Sequence, residues 1–439
     1  DGNGGTVTRR YDSFFPFSSL YTRDRYDEDP RYGVYSFTAR AWDRTLNQRP
    51  TLLAFRSAGN ERGQNDRYSD LQNDRRYVAR FSQSHIDTVG VIGTDLGNGL
   101  YLVHADDYAI PADDGPGGGG YDTLAGATMS KNAVIVGAVN DHLHDPHIGG
   151  SIQVTGFTSY GPTDSGSLGI DLMGNGEKLY SAADGSDTAY TNKNGTSMSS
   201  PNAAGTAALI LEHWRSTTHR TPVSATQKGL LMHTASDSTR DRQVGPDYRT
   251  GYGLLNGLAA VQHIDAAHSG SLVDRTDHVI EDTLDEGDHH QLLLTAVGGA
   301  IKVSLGWLDP ALEDYTLTDD FDNRASDLVH DLDLWLTDAD GTIYFPWTLD
   351  PENPKNAAVR NQHNRVDNFT QVLIDNAAAG TELTLHVGHF GNLQEGSQDY
   401  ALFISGATIP EPATAGLFAI GLGSLTLGRR RRADRTWRA

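Results

Sequence analysis

Between residues 203 and 214 the apolar side chains of Ala203, Ala207, Ile210 and Trp214 recur at spacings of four, three and four. That period lays them along one face of a helix. Pro201 lacks an N–H and suits a first helical turn, so the pattern predicts a helix that buries an alanine-rich face, with Ser197 just before it or in its first turn. Gly205 inside the run weakens such a helix unless another backbone passes close by. Upstream, the apolar run 51–55 reads as a short strand ending in Ser57-Ala58-Gly59-Asn60. "KNAVIVGAVND", 131–141, is β-branched and apolar in its middle and predicts a core strand. From about Leu272 the period changes. "HQLLLTAVG", "AIKVSLGWLD", "HDLDLWLTDADGTIYF", "NFTQVLID", "TELTLHVGHF" and "DYALFISG" are short alternating runs separated by turn signals such as Asp340-Gly341 and Gly380. They predict a β-sandwich.

The chemistry concentrates at the start of the alanine-rich helix. Ser197 lies in "NKNGTSMSSPNAAGTAALI", 192–210, before or within the first turn. A helix N-terminus offers free N–H groups and a positive dipole end, which suits a nucleophile whose reaction develops an oxyanion. A serine there also serves as a plain N-cap. The whole string, Gly-Thr-Ser-Met followed by two small residues, Pro and Asn-Ala-Ala-Gly, resembles the nucleophile segment of the subtilisin-like serine peptidases. The resemblance implies that Ser197 attacks the scissile carbonyl. It departs at Asn202 and Ala203, where the family commonly has His and Val, and both positions are on the helix.

Other segments extend the resemblance in the family's order. Ser57-Ala58-Gly59-Asn60 is similar to the strand end whose Asn side chain donates to the oxyanion and whose small residues line the substrate pocket. Ser57, Ala58 and Gly59 are therefore expected at the substrate and Asn60 in the oxyanion hole; the plain alternative for Asn60 is a turn residue after a strand. Residues 131–141 resemble the following core strand, 156–166 and 170–182 the path to the nucleophile, and 251–264 the closing helix. Gly174-Asn175-Gly176 stands where the family has Ala-Pro-Gly. The implied architecture is α/β, a three-layer subtilisin-like parallel sheet present in its C-terminal part, followed by an all-β sandwich or jelly roll.

A peptidase of this type also needs a histidine base and an aspartate to orient it, in the order Asp, His, Ser. No His precedes His85 and no His-Gly pair occurs. Asp164-Ser165-Gly166 spells the aspartate motif, but it follows Asn60 and reads as a loop turn. The expectation is an N-terminally truncated piece whose triad Asp and His stand upstream of Asp1, and which alone is inactive.

Composition narrows the setting. Mean hydropathy is -0.46 and net charge -22, although the last eleven residues hold six Arg and one Asp. So acidic a surface repels nucleic acid. There is no cysteine, which removes disulfides and thiolate metal sites. Ile409-Pro410-Glu411-Pro412, an apolar run over 413–428 and Arg429 to Arg432 resemble the PEP-CTERM sorting signal; an ordinary single-span anchor is the alternative. The resemblance implies export, transient anchoring in the membrane, contact with sorting machinery, and release to the cell surface or matrix.

Two further clusters concern metals. Catalysis of this kind needs no cofactor. Asp331 and Asp333 alternate with Leu332 and Leu334, so both carboxylates share one strand face and form a candidate structural calcium corner with Asp338 and Asp340 near; a solvated face and a hairpin turn are the alternative. "DHLHDPH", 141–147, reads as a polar loop rather than a metal site. The expected organisation is 1–268 peptidase part, 269–408 sandwich and 409–439 sorting tail. The expected function is secreted serine endopeptidase acting on peptide or protein substrates. The alternative from another class is a non-catalytic surface-binding protein built on a peptidase scaffold.

Overall fold

A computed structural model describes residues 32–62, 76–80, 94–97, 100–104, 119–141, 153–237, 244–271, 274–313 and 323–410. The sorting tail beyond 410 and the His-rich stretch beyond Asp141 lie outside the described residues.

The N-terminal half is built on a parallel sheet. β1 (Phe55–Ser57) pairs with β5 (Val134–Val139), which pairs with β6 (Leu172–Asn175), all parallel. Between β1 and β5 the chain forms an antiparallel trio, β2 (Arg76–Arg80), β3 (Thr94–Gly97) and β4 (Leu100–His104), in the order β2-β4-β3. Every residue of β5 is buried. Alternation then decides which side each residue serves. Ile135 joins a core with Tyr35, Ala39 and Leu46 around helix α1 (Phe37–Asn47), while Val134 and Val136 join Ala203, Ala207, Ile210 and Trp214 on the other side. A strand covered on both faces loses its polar alternation, which is why residues 134–139 read as a continuous apolar run.

The second face carries three helices: α2 (Thr196–Thr218), α3 (Ser224–His233) and α4 (Gly257–His268). In α2 the four residues of the predicted stripe are all buried. Two details differ from the sequence expectation. α2 opens at Thr196, so Pro201 falls in its second turn, and the helix forgoes the bond residue 201 would donate to the Ser197 carbonyl. Gly205 is exposed with nothing within 4 Å of a Cβ placed there, so no close approach explains it.

After α4 two antiparallel sheets share one apolar core. One sheet joins β9 (Asp277–Asp285), β11 (Gly299–Trp307), β14 (Phe369–Ala377) and β16 (Ser397–Ser405) in the order β14-β11-β16-β9. The other joins β10 (His290–Ala296), β12 (Asp331–Asp338), β13 (Ile343–Tyr344), β15 (Glu382–Phe390) and β17 (Ala407–Thr408), in the order β13-β12-β15-β10-β17.

The four-stranded sheet is buried on both sides. Leu402 and Ile404 face the other sheet, whereas Ala401 and Phe403 pack with Leu230, Leu231, Ala260 and Ile264 of α3 and α4. A polar seam runs beside this contact. Asn132 donates from Nδ2 to the Asp309 carbonyl (2.8 Å) and accepts from the Asp309 N–H (2.9 Å) and from Asn368 Nδ2 (3.1 Å). The buried Lys131 ammonium pairs with Asp309, whose carboxylate also takes the Val329 and His330 N–H groups. The antiparallel half is thus a further layer on the helices.

Candidate active site

Ser197 sits in the first turn of α2 and is exposed, while Gly195, Thr196, Ser199 and Ser200 around it are buried. Its neighbours fix the turn. Ser199 Oγ donates to the Gly137 carbonyl of β5 (2.6 Å), and a Cβ on Gly174 of β6 would come within 2.7 Å of that hydroxyl. Glycine in the Gly-Asn-Gly stretch therefore lets the helix end approach the sheet. Gly195 caps the helix at φ 145°, a conformation other residues rarely adopt.

Asn60, at the end of β1, meets this turn. Its Oδ1 accepts from the Thr196 N–H and the Thr196 hydroxyl, both at 3.0 Å. A backbone N–H only donates, so the amide atom facing it must be oxygen and the orientation of the amide is fixed. The Thr196 hydroxyl in turn accepts from the Gly59 N–H (3.2 Å). The Asn60 Nδ2 and the Ser197 backbone N both lie 3.7 Å from the point where a Cβ of Gly195 would sit. Both nitrogens thus border the position that Gly195 leaves without a side chain, with Met198 Sδ 3.6 Å from the same point, beside the exposed Ser197. Such a space is suited to negative charge on oxygen.

The other expected substrate residues differ in access. Ser57 and Gly59 are half-buried, but Ala58 is 1% exposed and its methyl packs into the core with Ile135 and Tyr160. At that position neither the methyl nor the backbone is exposed, and the N–H is spent on the Val136 carbonyl (2.9 Å). Beyond Asn60, the Glu61 carboxylate accepts from Ser159 Oγ (3.1 Å), and the Ser159 N–H donates to the Gly59 carbonyl (3.0 Å). Thr196 and Ser159, which hold the two sides of this segment, were not singled out from the sequence. Thr196 is legible in the Gly-Thr pair before the serine, and Ser159 opens the Ser-x-Gly-Pro turn at 159–162, although neither was given a role.

None of the described histidines hydrogen-bonds Ser197. His233, the most deeply buried, is taken up between Ser304 Oγ (2.8 Å) and Ser405 Oγ (3.0 Å), and burial holds its pKa well below the usual histidine range. Asp164-Ser165-Gly166 forms a buried turn whose Asp164 N–H donates to the Gly33 carbonyl (3.1 Å).

The proposed calcium corner takes a different form. Asp331 and Asp333 do share a strand face, but Arg365 Nη1 bridges them, 3.0 Å from Oδ2 of each, and His363 Nδ1 lies 3.0 Å from Asp333 Oδ1. A guanidinium supplies the positive charge an ion would bring, and the pair does not form an open oxygen cage. Asp338 is used in the hairpin turn, accepting from the Asp340 and Thr342 N–H groups. Among the described residues no group of three or more His, Cys, Asp or Glu is placed to hold a metal ion.

Comparison with protein families decides the assignment. The subtilase family model matches residues 32–253, half of the chain. The chain belongs to the subtilase family. A second match, over 408–432, is the PEP-CTERM protein-sorting motif, which implies export and sorting at the cell surface. No match was found among curated proteins. Solved structures similar to parts of this subtilase include the self-cleaved protease domain of PatA (24% identity, 34% of this chain and 48% of that one, TM-score 0.26). Others are a lanthipeptide protease (18%, 51% and 55%, 0.29) and the S41 psychrophilic protease (27%, 33% and 45%, 0.26). The chain spans about half the length of these structures.

Proposed function

We propose that the full-length protein is an exported serine endopeptidase that cleaves peptide bonds through an acyl-enzyme on Ser197. The observation that carries this reading is the meeting of Asn60 with the Thr196-Ser197 turn, which brings its amide beside the exposed Ser197 and the Ser197 backbone nitrogen. Ser197 Oγ attacks the carbonyl carbon of the substrate. The Asn60 amide and the Ser197 N–H receive the oxyanion, and the segment Ser57-Ala58-Gly59 borders the bound residue. The base that takes the Ser197 proton and the carboxylate that orients it come from chain outside the described residues. No metal takes part in these steps. On this reading the antiparallel half is a jelly roll fastened to the peptidase, and the tail engages the sorting machinery.

The test is peptide hydrolysis by the full-length protein and two variants. Ser197→Ala is expected to abolish turnover. Asn60→Ala is expected to slow it by about 100- to 1000-fold with KM little changed, because a donor to the oxyanion acts mainly in the transition state. Turnover that survives Ser197→Ala overturns the proposal.

A further inference from the structure

Tyr180 and Tyr190 are large rings left in solvent, 71% and 57% exposed. They stand on a two-stranded ribbon, β7 (Leu179–Ala182) paired antiparallel with β8 (Tyr190–Lys193). In this register Tyr180 lies opposite Asn192 and Tyr190 opposite Ala182, so the rings are diagonal neighbours on one face. They stack with centroids 5.5 Å apart and planes inclined by 26°. Stacking contributes to the ribbon itself, yet it covers only one side of each ring.

The ribbon is tied to the nucleophile turn. β8 runs through Asn194 and Gly195 directly into Thr196-Ser197. The Gly195 N–H donates to the Gly176 carbonyl (2.8 Å), and the Lys178 N–H donates to Asn194 Oδ1 (2.7 Å), which closes the base of the hairpin. Ser197 follows Tyr190 by seven positions, at most about 25 Å of extended chain. A peptide that extends about seven residues from its scissile bond is long enough to span that distance. The turn between the strands exposes Asp184 and Asp187, in a protein of net charge -22. Aromatic faces flanked by carboxylates attract a planar cation.

We propose that the Tyr180–Tyr190 stack is a subsite for an arginine side chain of the substrate, up to about seven residues from the bond cleaved. The guanidinium lies on an outer ring face while Asp184 and Asp187 supply the opposing charge. The ribbon thereby selects basic stretches of polypeptide and holds them in line with Ser197. This rests on the peptidase reading of Ser197.

The experiment uses the full-length protein with Ser197→Ala, so that bound peptide survives. The probes are fluorescein-labelled twelve-residue Gly-Ser peptides carrying one arginine, stepped along the chain, and twins with uncharged citrulline instead. Fluorescence anisotropy should give the best arginine peptide an advantage of about two- to fivefold over its twin. Tyr180→Ala/Tyr190→Ala should erase the advantage, Tyr180→Phe/Tyr190→Phe should keep it, and Asp184→Asn/Asp187→Asn should reduce it and its salt dependence. Equal binding of every pair of twins, or an advantage that survives the double alanine variant, overturns the inference. Fluorophosphonate labelling of the unsubstituted protein runs alongside. Absent labelling with the arginine preference intact refutes the peptidase reading alone; normal labelling without the preference refutes the subsite alone.

Discussion

Gly229→Ala should destabilise the protein, although it places a better helix former in the middle of a helix. In an exposed helix the exchange would stabilise by about 1 kcal/mol. Gly229, however, faces the four-stranded sheet. A Cβ there would come 2.4 Å from Phe403 Cε2 and 2.9 Å from Cζ, and the Gly229 Cα already lies 3.9 Å from where a Cβ on Gly306 would be. The Phe403 ring cannot swing aside. It is fully buried, and it stacks on His233 at 5.7 Å. Overpacking of this kind costs about 1–3 kcal/mol, and a contact this short in a filled site falls at the upper end. The balance is a loss of about 1–2 kcal/mol. At about 2–4 °C per kcal/mol for a domain of this order, melting followed by calorimetry should fall by about 2–8 °C. Phe403→Leu introduced with Gly229→Ala should recover part of that loss, because it removes the atoms the new methyl strikes. A melting temperature that rises in Gly229→Ala would show that α3 does not lie flush on β16, and the layered packing would be wrong.

Three other outcomes follow from particular contacts. Thr196→Val removes the hydroxyl between Asn60 Oδ1 and the Gly59 N–H; one unsatisfied donor costs about 1–3 kcal/mol, so melting should fall and labelling of Ser197 in the full-length protein should slow, and unchanged values in both would contradict the clamp. Lys228→Met leaves the buried Asp171 without the ammonium 3.0 Å away, a loss of about 3–5 kcal/mol by denaturant unfolding that the double variant with Asp171→Asn should partly restore. For His233, burial depresses the folded-state pKa, so below 6.5 the unfolded chain binds a proton that the folded protein does not; its contribution is present above pH 6.5 and is lost as pH falls, and the decline in melting temperature from pH 7 to 5 should be shallower in His233→Gln.

What could be read from sequence divides along physical lines. The face of α2 was legible because Ala203, Ala207, Ile210 and Trp214 bury one side of a helix whose other side is wet. The approach of Asn60 to the Ser197 turn was legible through motifs, since nothing local links residues so far apart in sequence. The docking of the antiparallel half was not. β16 is buried from Tyr400 to Ile404, and a strand covered on both faces carries no mark of what lies on the second one. Asp331 and Asp333 were placed correctly on one strand face, but their partner Arg365 arrives from a distant loop. Carboxylates on a strand attract a guanidinium and a metal ion alike, and the local pattern does not separate the two. The position of Pro201 was misjudged by one turn because the helix is capped by Gly195, whose φ lies outside the range of ordinary residues.

The central claim is that Ser197 is an activated nucleophile, and covalent labelling of the folded full-length protein by a fluorophosphonate tests it most directly. Only a serine with a base beside it reacts quickly, and an N-cap hydroxyl does not. The account predicts a single labelled residue, Ser197, with labelling abolished by Ser197→Ala and strongly slowed by Asn60→Ala. A protein that is folded by calorimetry and never labels would contradict it, and the scaffold would then serve as a surface-binding protein instead.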